Sequence, residues 1–172
     1  MFELKPLSPE GVESALEKAR RYRMLNEPWE ADSICRDILA VDSENQEAIM
    51  ELILAVTQSL ADETGGGLSE AVSLVNRLTD EYAQGYYAGI VYERRAKELL
   101  AHGTLGGGPA AYTLLRDAMA AYEAAEKVRP PGDDSAILRW NACARIIMRN
   151  DLKSGPGPPG QRRSVPGMSR PG

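Results

Sequence analysis

The most constraining feature of the sequence is a spacing of side-chain sizes near its C-terminal end. In the segment AMAAYEAAEKVRPP, which begins at residue 118, Ala118, Tyr122 and Ala125 follow one another at steps of four and three, and Pro130 comes five residues later. Those steps place the three side chains on one face of a helix. The small residues let a second helix approach, the large one fills the space between the helices, and the proline ends the helix. The segment therefore predicts a helix packed closely against another.

Two earlier segments, EADSICRDILAVDSEN and EAVSLVNRLTDEYAQ, hold apolar side chains at the same steps, beginning in each case with a small one. These positions are Ala31, Cys35 and Ile38 in the first segment and Ala71, Val75 and Leu78 in the second. Repetition of this kind is typical of stacked helix pairs, because one pair cannot bury its apolar faces alone. The sequence therefore predicts internal repeats.

The three segments resemble the second helix of the tetratricopeptide repeat (TPR), whose signature has small, aromatic and small residues and a proline at these steps. The resemblance covers roughly residues 10 to 150, as three helix pairs and a terminal helix. The copies are 40 residues apart from Ala31 to Ala71 and 47 apart from Ala71 to Ala118, against about 34 in the regular repeat. The resemblance implies an all-α, antiparallel helix-pair solenoid of about seven helices. An ordinary helical bundle is the alternative.

Start and stop signals predict where the helices lie. The predicted ranges are 9–25, 29–41, 43–61, 69–83, 86–102, 110–129 and 135–150. A capping-box pattern from Ser43 to Gln46 predicts the start of the third helix, and Gly85 is expected to separate the fourth from the fifth. His102 precedes Gly103 at a helix end, where we expect it to interact with the last carbonyl groups.

Charge and composition divide the chain in two. The formal net charge is −5, and Lys153, Arg162, Arg163 and Arg170 contribute +4 after Asp151, so the preceding body is at −9. An acidic body argues against broad nucleic-acid binding, which needs clustered Lys and Arg. We therefore predict a helical repeat domain over 1–151 and a disordered, basic tail rich in Gly and Pro over 152–172.

The sequence has few of the residue patterns that catalysis, metal binding or phosphate binding requires. His102 is the only histidine, and Cys35 and Cys143 lie in helix-like apolar segments, where they are expected to be buried core residues rather than a disulfide. The Gly-rich loops ETGGG and GTLGGG lack the Lys-Ser/Thr ending of a phosphate-binding loop. The sequence therefore predicts no enzyme activity, no metal and no cofactor.

The TPR resemblance implies that the first helix of each pair lines a concave groove that holds a peptide or helix of another protein. The candidate partner-binding residues on that face are Arg20, Arg23, Met24, Met50, Leu54, Gln58, Lys97, Asn141, Arg145, Met148 and Arg149. Because Met adapts to varied shapes and Arg binds carboxylates, we expect an acidic, amphipathic ligand.

The leading hypothesis is a non-enzymatic adaptor or scaffold. The alternative is a small helical enzyme, or an assembly subunit, with carboxylate or Cys chemistry. The N-terminal segment MFELKPLSPEG lacks the apolar run of a signal peptide, so a cytoplasmic location without membrane partners is expected. Nucleic-acid binding is not expected, and homo-oligomerisation is left open.

Overall fold

A computed structural model describes residues 2–59, 66–103 and 107–155. Over these ranges the chain forms a short 3-10 turn, Pro9–Gly11, and seven α-helices, and it contains no strand. The helices are α1 (Val12–Met24), α2 (Pro28–Val41), α3 (Gln46–Gln58), α4 (Gly66–Val75), α5 (Glu81–His102), α6 (Gly107–Lys127) and α7 (Ser135–Arg149). The predicted all-α class is therefore confirmed. The predicted tail lies outside the described residues from 156 onward.

The start of α3 differs from the prediction. Asn45, rather than Ser43, caps the helix, because the Asn45 side-chain oxygen accepts a hydrogen bond from the backbone N–H of Ala48 at 2.9 Å. Asn and Ser serve equally well as caps, so the capping-box pattern alone could not separate the two positions.

The predicted break at Gly85 is wrong. Asp80 caps α5, its carboxylate accepting from the N–H of Ala83 at 2.8 Å, and the helix continues through Gly85 to His102. A Cβ atom at Gly85 would lie 3.1 Å from the Cβ of Ala125 and 3.2 Å from the carbonyl oxygen of Ala121, both in α6. Gly85 therefore permits close helix contact and does not form a turn.

The end of α5 agrees with the prediction. Gly103 follows the helix with a φ of +57°, the left-handed conformation that glycine adopts at low cost. The Nδ1 atom of His102 lies 3.0 Å from the carbonyl oxygen of Glu98. His102 therefore interacts with the carbonyl groups of the last turn.

The helices pack in the order of the chain. Each of α1 to α6 contacts the helix that follows it, and α1 also contacts α3, as α3 contacts α5. All nine residues of the repeated spacing are buried, namely Ala31, Cys35, Ile38, Ala71, Val75, Leu78, Ala118, Tyr122 and Ala125. The predicted burial is therefore confirmed, but Leu78 lies just after the end of α4 and not on the predicted helix face.

No described helix combines the length with the apolar run needed to cross a lipid bilayer.

Candidate functional site

Polar side chains connect α1, α3, α5 and α7 along one side of the molecule, which we call the odd-helix face. On α1, Arg20 pairs with Glu47, and its Nε lies 3.7 Å from Glu51. The Nε of Arg23 donates to the same Glu51 carboxylate at 2.7 Å. Two of the four arginines predicted to bind a partner therefore hold α1 against α3.

Arg94 connects α5 to α3. Its Nη1 donates to the carbonyl oxygen of Leu54 at 2.6 Å and to the hydroxyl of Thr57 at 2.7 Å. Burial, and then the neighbouring charges of Arg139 and Arg23, lower the pKa of Arg94. Within the described residues no carboxylate lies at ion-pair distance from it, so its direct hydrogen-bond partners are neutral, and the charge of Glu93 acts on it only from farther away.

Glu93 is a fully buried carboxylate that connects α5 to α6 and α7. It accepts a hydrogen bond from the Tyr122 hydroxyl at 2.7 Å and pairs with Lys97 and with Arg139, whose Nη1 is 3.2 Å away. Burial raises the pKa of Glu93, but the hydrogen bonds from Lys97 and Tyr122 and the charges of Lys97 and Arg139 outweigh it, so the pKa lies below its usual value. Glu93 is therefore an anion at neutral pH.

Two cavities beside α5 open along the odd-helix face, and a third lies between the start of α1 and the start of α3. The first, of about 360 Å³, lies between α3 and the C-terminal half of α5, and we call it the arginine cavity. Its lining residues are Thr57, Gln58, Arg94, Lys97, Glu98, Ala101 and His102. Hydrogen-bond donors predominate among these polar side chains, so the cavity suits an acceptor or an anion.

The second, of about 390 Å³, lies where α3, the start of α5 and the start of α7 meet, and we call it the tyrosine cavity. Its lining residues are Gln46, Met50, Leu78, Thr79, Asp80, Tyr82, Ala83, Tyr86, Tyr87, Asp133 and Ser135. The rings of Tyr82 and Tyr86 stack with centroids 5.7 Å apart, and Tyr86 meets Tyr87 edge-on at 5.5 Å. The cavity thus has aromatic walls and two carboxylates at its edge.

The structure brings together some of the predicted partner-binding residues. Gln58 and Lys97 line the arginine cavity, and Met50 lines the tyrosine cavity. Gln58 also donates to the side chain of Asn26 at 2.8 Å, and Leu54 packs against the apolar core of the C-terminal helices.

The other predicted residues stand apart from these cavities. Met24 and Met148 are exposed, Arg145 and Arg149 are exposed on α7 without an ion pair among the described residues, and Asn141 is half-buried. Arg145 and Arg149 therefore retain free charges, whereas Arg20, Arg23 and Lys97 are neutralised by glutamates.

Sequence reasoning missed Arg94, Arg139 and the tyrosines as site residues. Tyr82 and Tyr86 are four residues apart, and that spacing alone would have predicted one aromatic stripe on α5. No local signal identifies Arg94, because its hydrogen-bond partners lie about 40 positions earlier in the chain.

Both cysteines are free and buried, as predicted. Burial, and then nearby carboxylates, raise the pKa of each thiol to about 12. Among the described residues no group of three or more His, Cys, Asp and Glu is placed to hold a metal ion.

In comparisons with known proteins, no family model matches this chain, and no curated protein or solved structure matches it.

Proposed function

We propose that this chain is a non-enzymatic protein-interaction module, an adaptor or scaffold that holds an acidic peptide or helix of a partner along the odd-helix face. The observation that carries the proposal is Arg94. Arg94 lines the arginine cavity, and its guanidinium is hydrogen-bonded only to a carbonyl and a hydroxyl oxygen among the described residues.

A TPR-like arrangement of helix pairs is part of this proposal. In such an arrangement the first helices of successive pairs contact one another, and α1–α3 and α3–α5 contacts follow that order. The buried small and large residues of α2, α4 and α6 support the same arrangement. The odd-numbered helices would then line the inner surface, where the family holds its ligands.

Charge along the face favours an acidic ligand at one place. Arg20 and Arg23 already pair with Glu47 and Glu51, so a ligand carboxylate would have to compete for them. Arg94 has no ion-pair partner among the described residues, and Glu98, which lines the same cavity, pairs with Arg95 instead. A guanidinium binds a carboxylate through two parallel hydrogen bonds, so a glutamate or aspartate of the partner suits this cavity.

The test is a selection of binding peptides from a random display library on the full chain. We expect the selected peptides to be enriched in Asp and Glu together with apolar residues. The substitution Arg94→Met keeps most of the apolar stem and removes the charge, and it should weaken their binding about tenfold or more, since a charged hydrogen bond contributes roughly 1.5–3 kcal/mol.

The matched control is Arg116→Met, because Arg116 is an exposed arginine of α6 away from both cavities. Thermal melts must show that both variants fold. Peptides that lack acidic residues, or that bind the Arg94→Met and Arg116→Met variants equally well, would overturn the proposal.

A further inference from the structure

The tyrosine cavity presents chemistry that the proposed acidic ligand does not use. Its walls are aromatic rings, and the carboxylates of Asp80 and Asp133 lie at its edge. Hydrogen bonds from Ser135 hold the pKa of Asp133 below its usual value, so this carboxylate stays charged at neutral pH. An acidic ligand would be repelled here, whereas a cationic one would be attracted.

The aromatic walls of this cavity also suit an extended, apolar occupant. The hydroxyl of Tyr82 is buried beside Asp133 and Ser135, so the tyrosine rings, rather than this hydroxyl, are what an occupant would contact. Proline-rich segments dock in aromatic-lined grooves, and a polyproline helix enters them already extended because it makes no internal hydrogen bonds.

This chain contains a segment with the required composition. Residues 162–171 read RRSVPGMSRP, with three arginines, two prolines, one methionine and no acidic residue. We propose that the end of this segment, residues 166–171 of the C-terminal tail, docks in the tyrosine cavity of its own chain, with its prolines and Met168 against the tyrosine rings and Arg170 near Asp80 and Asp133. The proposal does not depend on the acidic ligand at Arg94.

The tail leaves the described structure at a place from which it can reach the cavity. Gly155 lies against Pro109, near the start of α6. The tyrosine cavity includes Asp133 and Ser135, which follow the other end of α6. From Pro109 to Lys127 the helix rises about 27 Å, and a polyproline-like chain covers that distance in about nine residues at roughly 3.1 Å each. Residues after Val165 can therefore arrive at the cavity.

Charge complementarity is the second argument. The body of the chain is at −9 and the part after Asp151 at +4. Tethering also raises the local concentration of the segment to about the millimolar range, so even weak pairing with Asp80 and Asp133 would be populated.

A spin label on the tail tests the contact in the full chain. Cys35 and Cys143 are buried with raised pKa values, so a maleimide nitroxide should react only with a cysteine introduced by Ser169→Cys. We expect amide signals of residues 79–87 and 133–135 in the ¹⁵N spectrum to lose at least about half of their intensity relative to the reduced label. The amide signals of α1 and α2 should keep their intensity.

The control combines the same label with Arg162→Glu, Arg163→Glu and Arg170→Glu. These changes lie outside the helical body, and we expect them to restore the signals. No loss at the cavity, equal loss over the whole body, or loss unaffected by the charge reversal would overturn the proposal.

A mixed sample distinguishes docking within one chain from docking between two chains. It contains spin-labelled chains without ¹⁵N and ¹⁵N-labelled chains without a spin label. Loss of signal at the cavity in that mixture, at the same concentration, would assign the occupant to a neighbouring molecule and overturn docking within one chain. Unchanged signals in the mixture support it.

Discussion

The helix pairs α1–α2 and α5–α6 use the same spacing of apolar residues but fill it differently. In the middle of the pattern α2 has Cys35 and α6 has Tyr122, and both side chains are fully buried. The Cys35 thiol needs no strong hydrogen bond. The Tyr122 ring needs more space and its hydroxyl needs a partner, so three positions on neighbouring helices depend on it.

Those positions are on α5 and α7. Gly89 leaves room for the ring, since a Cβ there would lie 2.3 Å from a ring carbon of Tyr122. Glu93 accepts the hydroxyl proton, and Arg139 on α7 helps to balance Glu93. One large residue thus requires a glycine, a buried carboxylate and a cation from a third helix. The α1–α2 pair is joined to α3 instead through the more exposed pairs of Arg20 and Arg23.

The largest expected effect is that of Glu93→Ala. The substitution leaves the Tyr122 hydroxyl unpaired and Lys97 and Arg139 without their carboxylate, which should lower the free energy of unfolding by about 3 kcal/mol or more. Urea denaturation measures it. Glu126→Ala is the control, because Glu126 is exposed and 3.7 Å from Arg129, and it should change stability by at most about 1 kcal/mol. Equal effects of the two substitutions would show that the network does not stabilise this half.

The two buried cysteines show in which half of the molecule the Glu93→Ala substitution lowers stability. Cys35 belongs to the apolar core of the N-terminal helices and Cys143 to that of the C-terminal helices. In Glu93→Ala we expect Cys143 to react with a thiol reagent at least about tenfold faster than in the wild type, through local opening, with a smaller change at Cys35. Mass spectrometry of the digested protein gives both rates. Equal acceleration at the two sites would mean that both halves open as one unit.

Gly89→Ala should have the next largest effect. The added methyl group forces the buried ring of Tyr122 to move, and overpacking of this kind costs about 1–3 kcal/mol. Gly108→Ala is the matched control, since its Cβ would meet only Leu152, at 4.0 Å. Combining Gly89→Ala with Tyr122→Leu should cost less than the sum of the single changes. Additive costs in this double-mutant cycle would argue against contact between the two residues.

Acid should weaken the C-terminal pair through Glu93. The pKa of Glu93 in the folded protein lies below its usual value of 4.5, so its stabilisation is complete above pH 4.5 and is lost as the pH falls through the folded pKa. The difference in unfolding free energy between the wild type and Glu93→Gln should therefore shrink below about pH 4.5. Urea titrations at neutral and acidic pH measure it, and a constant difference would contradict the assignment.

The smallest effect is expected in the N-terminal pair. Arg20→Met removes an ion pair whose side chains are 43% and 57% exposed, and such pairs contribute about 0–1 kcal/mol. The loss should become smaller at high salt, because salt screens exposed charges. A loss as large as that of Glu93→Ala would remove the contrast between the two pairs.

By itself the sequence determined the helical class, most helix positions and the buried faces of α2, α4 and α6. These follow from local spacing, because residues three and four apart share a helix face wherever the helix lies. It also placed Cys35 and Cys143 in the core, and Gly103 at the end of α5.

Tertiary structure alone decided the role of Gly85, the burial of Glu93 and the partners of the arginines. Each depends on residues about 30 to 40 positions away, as in the contacts of Glu93 with Tyr122 and of Arg94 with Leu54. Burial and charge pairing are properties of surfaces that meet only after the helices pack. For that reason the sequence predicted partner-binding arginines at Arg20 and Arg23, where the fold pairs them with Glu47 and Glu51.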